Sequence, residues 1–188
     1  MTQARTLADF GGGSGTGKVL QVVVHQETAA PQPPVTFGAS TANQYLLLSA
    51  ANASDSTAKM EVTITPSSAS SKILIHAIVH FEPSVDSHDT IWTLYRNGST
   101  RLGQPDQSNR RGGIAQTVTS LDANNDSTID MANILFEDSP NTTSATTYTM
   151  AYNNSSAMTV YLNRVLGSSD SSGAERLQSI IMAQEIAV

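Results

Sequence analysis

The stretches with residue types suited to chemistry each lack a part that the chemistry needs. Gly12 to Val19 reads GGSGTGKV and sets Gly12, Gly17 and Lys18 at the spacing of a phosphate-binding loop. Such a loop needs a Ser or Thr after the lysine to hold magnesium, and a helix whose N-terminus faces the phosphate. Val19 takes the first place, and a strand pattern replaces the helix. Asp122, Asn124, Asp126, Thr128 and Asp130 begin like a calcium loop. There Ser127 stands where the sharp turn wants glycine, and Asn133 where a bidentate glutamate would close the site. His76 and His80 are four residues apart, a spacing that chelates a metal on a helix but separates two strand residues by about 13 Å. No Gly-x-Ser-x-Gly elbow stands in a strand–turn–helix context, and Gly11-Gly12-Gly13-Ser14-Gly15 lies in a glycine-rich stretch that builds none. The expectation is therefore no catalytic residue, no cofactor, no metal site and no enzyme. Arg110-Arg111, in a long polar loop, reads first as solvated and second as a salt-bridge donor to a neighbouring subunit.

The elements that must position these residues are strands. Lys59 to Phe81 organises the chain: Met60, Val62 and Ile64 alternate with polar residues, Pro66 stops the ladder, and a small polar loop leads into Lys72–Phe81. In that second run Ile73, Ile75, Ala77, Val79 and Phe81 share one face. The other face carries Lys72, Leu74, His76, Ile78 and His80, a mixture that calls for cover by a partner surface rather than open water. The two runs are expected to pair as a central hairpin. Lys18–Gln26, Gln44–Ser49, Thr90–Arg96, Ile114–Ser120 and Ile129–Phe136 read as further strands, with Asn97-Gly98 a two-residue hairpin turn. Ala145–Tyr152 and Ala157–Arg164 read as a hairpin, and Glu175–Val188 as a strand closing a sheet edge. About ten short strands at this spacing predict an all-β domain, a β-sandwich of jelly-roll type, over residues 18–188. Residues 1–17, rich in glycine, predict an extended N-terminal arm whose Leu7 and Phe10 supply apolar surface for docking.

Composition narrows the partners. A net charge of −6 in 188 residues argues against nucleic acid, which needs a dense basic face. No apolar run is long enough to insert in a bilayer as a helix, and the first residues lack a signal-peptide core. Cysteine is absent, so stability must come from packing or association. Only 39% of residues are hydrophobic, with Ser, Thr and Asn making up much of the remainder.

Several segments carry a resemblance: ITPSSASSKILI (Ile64–Ile75), EDSPNTTSATTYT (Glu137–Thr149), TVYLNR (Thr159–Arg164), SIIMAQEIA (Ser179–Ala187) and the opening ARTLADF with GKVLQVV. Together they resemble a β-rich domain of tail fibres and other virion appendages of tailed bacteriophages, of the cyanophage and marine phage type. The resemblance implies a structural protein of the virion, assembled in the host cytoplasm. It would be a homo-oligomer, a trimer, docked onto major capsid, portal or tail proteins as a capsid decoration or short fibre knob. Leu74, His76, Ile78, His80, Arg110 and Arg111 are the expected subunit contacts, loosened in acid as the histidines charge. The alternative is a tip module that binds a host receptor or surface glycan through Tyr95, Trp92 or the loop Gly103–Gly113.

Overall fold

The computed structural model describes residues 17–28, 36–37, 44–103, 110–120, 129–167 and 174–188. The arm with Leu7 and Phe10, residues 12–16 of the phosphate-loop-like stretch and residues 122–128 of the calcium-loop-like run lie outside them.

Twelve strands follow one another and no helix occurs among the described residues. In chain order they are β1 (Val19–Glu27), β2 (Thr36–Phe37), β3 (Leu46–Leu47), β4 (Glu61–Ile64), β5 (Lys72–Pro83) and β6 (Ser87–Arg96). There follow β7 (Thr100–Arg101), β8 (Ala115–Thr119), β9 (Asp130–Asp138), β10 (Thr146–Asn153), β11 (Val160–Leu162) and β12 (Ser179–Ile186). They form two antiparallel sheets around one core, a β-sandwich. Sheet A runs β1, β12, β5, β9, with β11 and then β2 added beside the last residues of β5. Sheet B has β10 and β6 at its centre, β4 and β3 along one side of β10, and β7 and β8 along the far side of β6.

Period-two alternation sends one face of each sheet inward. Sheet A contributes Ile73, Ile75, Ala77, Val79, Phe81, Ile134, Ile181 and Ala183 to the core; sheet B contributes Val62, Ile64, Trp92, Leu94, Tyr148, Met150 and Tyr152. The aromatic centre spans both sheets: Phe81 and Trp92 have ring centroids 4.5 Å apart, and Trp92 and Tyr152 5.7 Å, all tilted. The polar tips of the buried Trp92 and Tyr148 find partners. Trp92 Nε1 donates to Thr117 Oγ1 at 2.9 Å, and Tyr148 Oη to Asp138 Oδ2 at 2.8 Å, beside the Arg96–Asp138 ion pair. Burial, and then this hydrogen bond to a carboxylate, push the Tyr148 phenol far above its ordinary range.

The sides of the sandwich are sealed by side chains. From β1, Gln21 donates to Thr65 O at 2.7 Å, His25 Nε2 meets Lys59 O at 2.9 Å, and Glu27 accepts Lys59 N–H at 2.9 Å. The buried Glu185 accepts hydrogen bonds from Gln21 Nε2, Ser67 N–H and Ser67 Oγ at 2.6 to 2.7 Å. Burial alone would raise this carboxyl, but the donors outweigh it and hold the pKa down at about 2.

Asn97-Gly98 turns the β6–β7 hairpin as expected, with φ of 51° and 69°. Two other expected hairpins are crossings from one sheet to the other. β4 pairs with β10 in sheet B, while β5 lies in sheet A. The edges of β5 are occupied by longer partners, β12 over Lys72–Ile78 and β9 over Ile73–Phe81, which leaves no place for the short β4. Likewise β10 is flanked by β6 and by β4 with β3, so β11 crosses to pair with β5. The C-terminal segment is a strand as expected, but it sits between β1 and β5 instead of closing an edge. Trp92, expected at an exposed binding surface, is fully buried, because the register of β6 turns it to the core beside Leu94.

Candidate assembly surface

The strands of sheet A that bury their odd-numbered residues in β5 and β12 turn the even-numbered ones outward. Strand pairing arranges those outward residues in rows. One row is Val22, Gln184, Leu74 and Glu137; the next is Val24, Met182, His76 and Leu135; the third is Gln26, Ile180, Ile78 and Asn133; His80 then lies opposite Met131. Val22, Val24, Met131 and Leu135 are 48%, 47%, 48% and 63% exposed, so no described part of the chain covers this face. Four strands about 4.8 Å apart and about seven residues long give a footprint of roughly 450 Å². Eight of the fourteen residues in those rows are apolar, and exposed apolar side chains gathered on one face are a common feature of interaction sites.

The face holds little charge. Glu137 sits 3.3 Å from Lys72, so the pair at this end offsets itself. His76 Nε2 lies 3.1 Å from Asn133 Oδ1, and His80 Nδ1 2.9 Å from Gln178 O. Leu74, His76, Ile78 and His80, singled out from the sequence, thus stand together, half-buried, on one open face. The rest of the face was missed. Val22 and Val24 stand in the continuous apolar run Val22-Val23-Val24, which does not mark an open face, and only the pairing β1–β12–β5–β9 aligns them with Met182, His76 and Leu135.

The two arginines do not join this face. Arg110 is exposed. Arg111 is half-buried on the other side of the sandwich, paired with Asp89 of its own chain and donating to Asp89 O and Asn153 Oδ1 at 3.2 and 3.4 Å. Its guanidinium is therefore held inside the chain, in place of the solvated loop expected of it. Burial tends to raise Asp89, and the hydrogen bonds from Arg111 and Ser155 reverse this and hold it below its ordinary value.

That side, the outer face of sheet B, is partly roofed. Thr93, Thr149, Ala151 and Asn153 are buried at its centre. Thr93 Oγ1 donates to Leu102 O at 2.6 Å, and Tyr45 Oη donates to Gly112 O. The ring of Tyr45 lies 6.1 Å from that of Tyr95, and the Arg101 guanidinium stacks 4.5 Å over it. A cleft of about 260 Å³ opens beside this cluster, lined by Ile91, Arg111, Gly112, Gly113, Ile114, Ala115 and Gln116.

Among the described residues no group of three or more His, Asp or Glu side chains converges as a metal site. No protein-family model and no curated protein matches the chain.

Proposed function

We propose that this chain is a structural protein of a tailed-phage virion, a trimeric surface appendage such as a capsid decoration or short fibre knob. Its copies associate through the outer face of sheet A, and Leu7 and Phe10 of the N-terminal arm dock it onto other virion proteins. The observation that carries this reading is the open face itself: long and branched apolar side chains from four strands, with its one carboxylate row neutralised by Lys72. Surfaces of this kind are interaction surfaces, and a chain carrying net charge of −6 meets like copies most readily where it is neutral. The resemblance of EDSPNTTSATTYT and the C-terminal strand to phage appendage domains supports a virion as the particle.

The test has two steps. Light scattering on the purified protein should give a trimer mass, and Leu135→Asp should reduce it to that of a single chain. Immunogold labelling should then place the protein on the particle surface, and deletion of residues 1–16 should remove the label while the trimer persists. A monomer at high concentration would end the reading.

A second reading has its own observation. Tyr45, Tyr95 and Arg101 form an amphipathic aromatic cluster beside the cleft at Gly112 and Gly113, a surface suited to sugar rings. Binding of host lipopolysaccharide that is lost in Tyr45→Ala would favour a receptor-binding tip module.

A further inference from the structure

Sheet A ends on two long strands, β1 and β9, each nine residues long. Proteins blunt such edges with proline, a bulge, inward charge or a covering segment, because a row of unpaired N–H and C=O groups recruits another strand. β1 has regular register from Gln21 onward, and β9 from Asp130 to Asp138. Among the described residues neither strand has a partner on its far side. β8 lies near β9 through the Thr119–Asp130 hydrogen bond without pairing with it.

The direction of the free groups follows from the ladder. Ala187 N–H donates to Lys18 O, so β12 turns its odd-numbered backbone groups to β1. Their partners Gln21, Val23 and His25 therefore bond inward, and the N–H and C=O of Val22 and Val24 point out of the sheet edge. On β5, the amide and carbonyl of His80 face the β12 side. β5 thus reaches β9 through odd-numbered residues, and the backbone groups of Asn133 and Leu135 are left pointing outward. The two edges also match in direction. Three successive antiparallel pairings make β1 and β9 run oppositely, so a rotation about an axis along the strands lays β1 of one copy antiparallel to β9 of the next.

We infer that copies of this chain pair head to tail, β1 of one against β9 of the next, in a continuous antiparallel sheet closed into a ring with the apolar face inside. This rests on the assembly reading above and specifies its contact. A two-fold pairing of β1 with β1 would leave both β9 edges and the whole apolar face open. The head-to-tail ring uses both edges and covers that face, and heterologous contacts of this kind close when the rotation allows.

Val24→Pro tests the contact. It removes an outward N–H that bonds to none of the described residues, so the strand spectrum in circular dichroism is expected to persist while the light-scattering mass falls to a single chain. Retention of the wild-type mass by a folded Val24→Pro would overturn the inference. The chain has no cysteine, so a second measurement stands independently of that variant's folding. Val24→Cys and Asn133→Cys, mixed as dissociated subunits, reassembled and treated with a short bis-maleimide, which adds one cysteine thiol at each end, should give covalent pairs, and neither variant alone should. Self-cross-linking of Val24→Cys alone would show two-fold pairing and overturn the proposal. An oligomeric wild type whose mixed variants fail to cross-link would overturn it too while leaving the assembly reading in place. A monomeric wild type would remove both.

Discussion

The two outer faces of this sandwich differ in what lies on them and in what covers them. Sheet B carries small side chains at its centre, Thr93, Thr149 and Ala151, and the chain roofs them with the Tyr45 ring and the segment from Arg111 to Ile114. Sheet A carries Leu74, Ile78, Met182, Val24 and Leu135 and has no cover among the described residues. A self-sufficient sandwich would place small polar residues on an uncovered face and apolar ones under a roof. Here the larger apolar side chains lie on the open side, which is the arrangement expected where another copy supplies the roof.

The largest effect should follow a charge placed on the most exposed apolar side chain of the open face. Leu135→Asp should weaken association by at least a hundredfold, about 3 kcal/mol, because the contact would lose the leucine's apolar surface and desolvate a carboxylate. Thermal stability of the monomer should stay within about 0.5 kcal/mol, since the side chain is exposed there. An equal loss in monomer melting temperature would show that the face belongs to the fold itself.

The next effect lies at the seam where β12, β1 and the β4–β5 connection meet. The Glu185 carboxyl titrates at about 2 in the folded chain, below its ordinary value of 4.5. A depressed carboxylate stabilises the fold above the unfolded pKa, and that contribution is lost as pH falls through the folded one. Urea unfolding should therefore show up to about 3 kcal/mol of stability disappearing between pH 5 and pH 2. In Glu185→Gln this acid-dependent part should be absent, and an unchanged pH profile in that variant would refute the assignment.

The roof on sheet B depends on close approach. A Cβ on Gly113 would lie 2.6 Å from the carbonyl oxygen of Trp92. Gly113→Ala should cost about 2 kcal/mol in chemical denaturation by overpacking. It should leave the oligomeric mass unchanged, which separates the roofed face from the open one.

Much of this architecture was legible along the chain because strand alternation is local. Ile73 to Phe81, Tyr148 to Tyr152 and Ala132 with Ile134 announce their buried faces by spacing alone, and Asn97-Gly98 announces its turn by the positive φ that both residues tolerate. Alternation also showed that Leu74, His76, Ile78 and His80 share a face. What it could not show was which strand lies beside which, since pairing is a contest between distant segments for a limited number of edges. β5 gives its edges to β12 and β9, so β4 leaves for the other sheet; Ser179–Ile186 becomes an interior strand, and β1 is left at the margin. That contest also buried Trp92, tied Arg111 to Asp89 and lined Val22 and Val24 up with Met182, His76 and Leu135. The face exists only across strands, and so its extent is decided by hydrogen-bonded register between residues more than a hundred positions apart, which no single stretch of the chain contains.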